Sequence, residues 1–215
     1  MPPASSSLHR LLVEGPDDQH TIIHLLLRHG FDWDDPTAVR PYIQASGGVD
    51  RLLEEVPVTL KGPYERVGVV VDSDLDLTDR WAQLRHGAAR VGIALPVSPE
   101  PGGTIVDGLR PGSKIGFWLM PDNSSPGMLE NFLRLLIPPD DPCGPYAGEA
   151  VTEARRRGAP CKEKDHAKSV LYSWLAWQEE PGLPFGTALK ARIFTHDSEA
   201  ALLFVGWFRR LFADP

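Results

Sequence analysis

Cysteine is scarce in this chain, with two residues in 215, Cys143 and Cys161. They form no Cys-x-x-Cys pair and share no Cys/His spacing of a zinc site, which excludes a zinc ribbon or finger. Two thiols in a chain this long build no disulfide framework, and reduced cysteines are expected. Excess positive charge is missing too: 22 Lys and Arg face 29 Asp and Glu, for a net charge of -7. A general attraction to polyanions is therefore excluded, and any contact with nucleic acid has to be local. The longest apolar run lies near residues 200–208, far short of the about 20 residues a membrane-spanning helix needs. The opening MPPASSSLHRLLVEG has no apolar core and no small-residue cleavage site. It does not read as a secretory leader, and the expected location is cytoplasmic. There is no Gly-x-x-x-x-Gly-Lys-Ser/Thr loop, hence no P-loop ATPase within this sequence. Internal repeats are lacking, which excludes a solenoid.

What is present is enough apolar material for one sizeable core, since hydrophobic residues make up 42% of the chain and six Trp contribute large side chains. Leu11 to Val13 is a short apolar run that stops at Glu14-Gly15, a strand ending in a turn. Asp17 and Asp18 suit the start of the helix that follows, and Gly30 closes it. Residues 41–45 read as a second strand and Val49 to Val56 as a helix. Val67-Gly68-Val69-Val70-Val71 is the clearest strand, and its continuous β-branched character predicts burial on both faces. It ends in Asp72-Ser73-Asp74-Leu75-Asp76. Thr78 to Val91 is helix-compatible. Residues 96–112 are rich in Pro and Gly and read as an irregular excursion. Ile115 to Met120 is another strand, stopped by Pro121-Asp122-Asn123, and Met128 to Ile137 a helix that Pro138-Pro139 ends. This alternation implies an α/β fold: a mainly parallel, Rossmann-like sheet with helices on both faces. A helical C-terminal segment follows, with helices over 162–178 and 198–212 and with Trp174 and Trp177 as core residues. Two parts are expected, an α/β domain over 8–140 and a helical extension over 141–215 packing on or beside it.

Active sites of parallel sheets lie at the carboxyl ends of the strands, where Glu14, Asp72 and Asp122 fall. An Asp-x-Asp beyond a buried strand puts Asp72 and Asp74 near one spot, and Glu14 adds a third carboxylate from another strand end. Clustered carboxylates repel one another unless a cation sits among them. Hard oxygen ligands of this kind suit Mg²⁺, which keeps several waters and acts on phosphates. A Glu not fully engaged by the ion moves protons, worth about 10²–10⁴ in rate. Positive charge concentrates elsewhere, in Arg155, Arg156, Arg157, Lys162, Lys164 and Lys168. The first five form a candidate nucleic-acid-binding surface, read against the alternative of plain surface charge.

Leu12-Val13-Glu14-Gly15 and Val70-Val71-Asp72-Ser73-Asp74 together resemble the hallmark of TOPRIM domains, a Glu after the first strand and an Asp-x-Asp after a later one. The resemblance covers about residues 8–137. It implies a metal-dependent role in cutting or joining nucleic-acid backbones, with Glu14 as general acid/base or ligand and Asp72 and Asp74 as ligands of one or two Mg²⁺ or Mn²⁺ ions. A finer resemblance is to OLD-type nucleases, in which a second acid follows the first Glu by four residues, here Asp18. That branch also implies a further acid and a downstream Lys, for which Glu130 and Lys168 are the counterparts. The segment Phe117 to Asn123, with Gly127 and Glu130, is similar to small stand-alone TOPRIM-like proteins of unassigned function. The expected substrate is DNA or RNA, and a separate ATPase is the partner such a chain would need for ATP-driven work.

Blander readings stand beside these. Glu14 to Asp18 also reads as a turn and helix cap, Asp72 to Asp79 as a solvated acidic loop, and Asp122-Asn123 as a simple turn. Glu130 and Lys168 also read as exposed helix residues. Two rival functions remain at this level. One is a non-catalytic TOPRIM-like binding or regulatory subunit. The other is a phosphatase, since Asp74-Leu75-Asp76-Leu77-Thr78 resembles the Asp-x-Asp-x-Thr motif of haloacid-dehalogenase-like enzymes, whose first Asp is a nucleophile.

Overall fold

A computed structural model describes residues 7–33, 35 and 40–213. Residues 1–6, part of the opening stretch read above, lie outside the described residues. Five strands form one sheet in the order β2-β1-β3-β5-β4. β1 (His9–Val13), β2 (Tyr42–Ala45), β3 (Arg66–Asp72) and β5 (Lys114–Met120) run parallel, and β4 (Thr104–Asp107) is an antiparallel edge strand on β5. Three helices link the first strands: α1 (Pro16–Leu27), α2 (Val49–Leu60) and α3 (Leu77–Ala89). After β5 come α4 (Leu129–Arg134), α5 (Cys143–Arg156), α6 (His166–Ala176), α7 (Phe185–Lys190) and α8 (Glu199–Phe212). The fold is the α/β class expected, with helices on both faces and a helical C-terminal part.

Strand periodicity explains the two layers. Successive side chains point to opposite faces, so Leu12, Val67, Val69, Val71, Phe117 and Leu119 pack on one side with α2 and α3. Leu11, Val13, Val70, Trp118 and Met120 pack on the other, with α1 and the helices from α4 onward. The C-terminal helices thus cover a face of the sheet that would otherwise expose its apolar residues. Two glycines shape that face. Gly68 and Gly116 are register partners on β3 and β5, and a Cβ on Gly116 would lie 2.5 Å from Leu211 and one on Gly68 3.0 Å from Phe212. The missing side chains let α8 settle directly on the sheet.

Several local readings need correction. Residues 96–112 are not wholly irregular, because Thr104–Asp107 pairs with β5. A four-residue strand at a sheet edge needs only one partner, so it survives among prolines and glycines. α2 does not stop before Pro57 but runs through it to Leu60, with the ring buried. α5 and α7, which carry Gly and Pro near their starts, had no clear periodic signal. Trp174 is fully buried, but Trp177 is 43% exposed and is no core residue. Cys143 and Cys161 are free thiols. Among the described residues no helix is long and apolar enough to cross a membrane.

Candidate functional site

Adjacent parallel strands end side by side, and that is what brings Glu14 and Asp72 together. β1 and β3 are neighbours in register, so the residues just past their ends emerge on the same edge. Glu14 Oε1 accepts the Asp72 backbone N–H at 2.8 Å. The Glu14 carbonyl in turn accepts the N–H groups of Gly47 and Gly48 after β2, both at 2.9 Å. The left-handed φ of both glycines (86° and 120°) is what lets that turn face Glu14. Pro16 opens α1, and Asp18, one turn past Glu14, folds back so that its Oδ2 accepts the Gly15 N–H at 3.0 Å. Asp72 Oδ1 accepts the N–H of Leu129 at the start of α4 at 2.9 Å, which places Glu130 beside it.

Ser73, between the two aspartates, ties this edge together. Its hydroxyl donates to the Met120 carbonyl at 2.7 Å and accepts the Gly127 N–H at 2.9 Å. The loop from β5 to α4 is thereby held against the end of β3. Asp74 follows in a left-handed conformation, φ 52°. Its N–H donates to the Gly127 carbonyl, and its Oδ2 accepts Arg80 at 2.7 Å.

The electrostatics report the convergence. Asp72 is pushed well above the usual carboxylate range, first by burial and then by Glu14, Asp18, Glu130 and Asp74. Asp18 is pushed up to about 7 by burial, then by Glu14 and also by Glu130. Glu14 is raised by burial, with Asp74 adding to the effect and the Asp72 N–H and Arg80 opposing it. Four acids from three stretches of chain therefore feel one another in a desolvated place: Glu14, Asp18, Asp72 and Glu130. Asp18 and Glu130 are each 7% exposed.

The other candidates fall into distinct settings. Lys168 Nζ lies 3.4 Å from Glu130 Oε1, so these two predicted residues are partners, and the Lys168 ammonium is raised despite partial burial because Glu130 faces it. Asp74 belongs to the edge, but its charge is matched by Arg80. Asp122 is engaged elsewhere: its carboxylate accepts the N–H groups of Ser124 and Ser125, the turn reading. Asp76 caps α3, accepting from Thr78 and Asp79. Arg156 and Arg157 both pair with Glu153, and Arg155 pairs with Glu163. Those three cations are matched by carboxylates, whereas Lys162 and Lys164 are exposed.

Sequence reasoning missed Arg80. Its Nε donates to the Asp72 carbonyl at 2.9 Å while the guanidinium holds Asp74, so one side chain braces both ends of the Asp-x-Asp. The signal available was an Arg in the first turn of the helix after the motif.

The donor set fits a hard divalent cation in its chemistry: partly or fully buried carboxylates, with raised proton affinity at Glu14, Asp18 and Asp72. As arranged, however, no group of three or more His, Cys, Asp or Glu among the described residues stands ready to hold an ion. Glu14, Asp18 and Asp72 each turn one oxygen onto an N–H group instead.

Fold and edge together define an α/β protein with a buried carboxylate cluster at the carboxyl end of a mainly parallel sheet. The chain belongs to DUF3226, a family of proteins of unknown function whose model matches residues 8–213. No curated protein and no solved structure matches it.

Proposed function

We propose that this chain is a TOPRIM-like hydrolase of nucleic-acid phosphodiester bonds that depends on Mg²⁺ or Mn²⁺. The observation that carries the reading is the mutual elevation of Glu14, Asp18 and Asp72, with Glu130 contributing, at the carboxyl ends of β1 and β3. Desolvated carboxylates that repel one another cost stability, and groups perturbed in this way cluster at functional sites. Asp72, Asp18 and Glu130 would hold the ion, with Asp74 at the rim. A bound Mg²⁺ supplies charge neutralisation and orientation at a phosphoryl group and acidifies water. Glu14, whose proton affinity is raised, takes or returns a proton at its carboxylate. Arg80 keeps the Asp-x-Asp backbone in place, and Lys168 balances Glu130. Asp76 is committed to capping α3 and the strand ends at Asp72, which leaves the phosphatase reading without its motif geometry.

The test is cleavage of plasmid DNA, single-stranded DNA and RNA in Mg²⁺ or Mn²⁺, compared with EDTA. Cleavage is expected with the divalent ion and lost by about 100-fold or more in Glu14→Gln and in Asp72→Asn, the scale of removing an acid/base group or a metal ligand. Unchanged activity in both variants overturns the assignment. One observation favours a second reading, a non-catalytic TOPRIM-like binding or regulatory subunit: the carboxylates are not preassembled around an ion. Nucleic-acid binding without cleavage in either cation, with or without an added ATPase partner, would select it.

A further inference from the structure

Two cavities share a wall on α4, and one of them reaches the carboxylate edge at Asp74. One, of about 470 Å³, is lined by Asp74, Gly127, Met128, Arg134, Lys164 and His166. The other, of about 540 Å³, passes Gly144 and Pro145 at the start of α5. Pro126, Asn131 and Arg134 line both. The cleft therefore leads from Asp74, along α4, to the first turn of α5.

All of its acids are engaged, two by cations and two by neutral donors. Asp74 is held by Arg80 and Glu163 by Arg155. Asp122 accepts from Ser124 and Ser125, and Asp141 accepts the Cys143 N–H and the Trp174 indole N–H. Its cations are not. The half-buried Arg134 guanidinium has no hydrogen-bond or ion-pair partner among the described residues, and neither has the Lys164 ammonium. His166 adds a buried Nδ1 without a partner. An unpaired guanidinium lining open volume is a receptor for a phosphate or carboxylate, which its fork binds through two donors. At the far end, Tyr146 follows Pro145 and packs on Trp177 with ring centroids 5.5 Å apart. These rings are 57% and 43% exposed. Exposed aromatic faces beside a cationic track are the elements with which proteins hold unpaired bases.

We propose that this cleft binds single-stranded nucleic acid, with backbone phosphates on Arg134 and Lys164 and a base stacked on the Tyr146–Trp177 pair. The proposal deepens the hydrolase reading and rests on it for the identity of the polymer. Neither cavity exceeds about 540 Å³, so a single strand is the expected ligand and duplex the competing outcome of the test.

The test is fluorescence anisotropy in EDTA at low salt, with labelled 12-nucleotide dT and rU strands, a 12-base-pair duplex and a mononucleotide as probes. Single strands are expected to bind about tenfold or more tighter than duplex. Arg134→Ala should weaken binding about tenfold or more and Arg134→Lys less, while Trp177→Ala should weaken it about five- to hundredfold. Trp177 is the exposed tryptophan, so bound strand should quench indole fluorescence in the wild type and in Arg134→Lys but not in Trp177→Phe. Circular dichroism melts establish that each variant folds. Equal duplex binding, a mononucleotide bound as tightly as the strand, absence of binding, or strand affinity unmoved in folded Arg134→Ala and Trp177→Ala each overturn the proposal. Strand binding without cleavage in any divalent cation leaves this inference standing and defeats the hydrolase reading. Cleavage unaffected by these variants does the reverse.

Discussion

Asp18→Asn isolates the repulsion on which the site depends. Asn keeps the size of Asp18 and an oxygen for the Gly15 N–H, but carries no charge. Asp18 is pushed from 3.8 to about 7, first by burial and then by Glu14. A raised carboxylate contributes stability that is fully present below its unfolded value and is lost as pH climbs through its folded value. Without divalent ions, the wild type therefore loses the Asp18 contribution between about pH 4 and pH 7, and Asn at this position removes that loss while those of Glu14 and Asp72 remain. Each unit is worth about 1.4 kcal/mol, so about three units set an upper limit near 4 kcal/mol. Relaxation around the ionised group reduces the expected gain to about 2 kcal/mol at pH 8. For a chain of this size that is a rise in Tm of about 4–8 °C. Thermal unfolding in EDTA at pH 4.5 and pH 8 reads it: the variant should be clearly more stable than wild type at pH 8 and close to it at pH 4.5. Equal destabilisation at both pH values would show that Asp18 is only a helix-start residue and refute the reasoning.

Other substitutions test the supports. Arg80→Ala removes a charge-assisted bond to Asp74 and the donor to the Asp72 carbonyl, and should cost about 1–3 kcal/mol in urea unfolding. Asp76→Ala loses a helix cap worth about 1 kcal/mol and should leave phosphodiester cleavage intact, whereas a phosphatase using Asp76 would be inactivated. Gly116→Ala forces a methyl to within 2.5 Å of Leu211 and should cost about 1–3 kcal/mol by overpacking, read as a lowered Tm with α8 displaced.

The buried strands were legible because their residues point to core on both faces. Val67 to Val71 and Ile115 to Met120 are apolar throughout, and that alone implies helices above and below. Glu14 and Asp72 were legible because strand ends in parallel sheets share an edge. Features depending on what folding brings nearby were not. β4 has one partner and four residues, too little pattern to stand out against its Pro and Gly neighbours. Pro57 reads as a terminator, yet α2 continues through it to Leu60 with the ring buried. Asp18 and Glu130 stood out only through the resemblance to OLD-type nucleases, since by local pattern they read as acids near helix starts, and the hydrogen bonds of Asp18 to Gly15 and of Asp72 to Leu129 show how they meet. Arg80 and Arg134 carry no motif, since their importance lies in which carboxylates they do or do not face.

On the proposed reading, the carboxylates at the ends of β1 and β3 share a divalent cation. Calorimetric titration of Mn²⁺ at pH 7, in two buffers of different ionisation enthalpy, tests it most directly. Raised carboxyl groups must give up protons as an ion binds, so saturable binding with release of about one proton per chain is predicted, abolished in folded Asp72→Asn. No saturable heat, or binding of the same strength and proton count in Asp72→Asn, would contradict it.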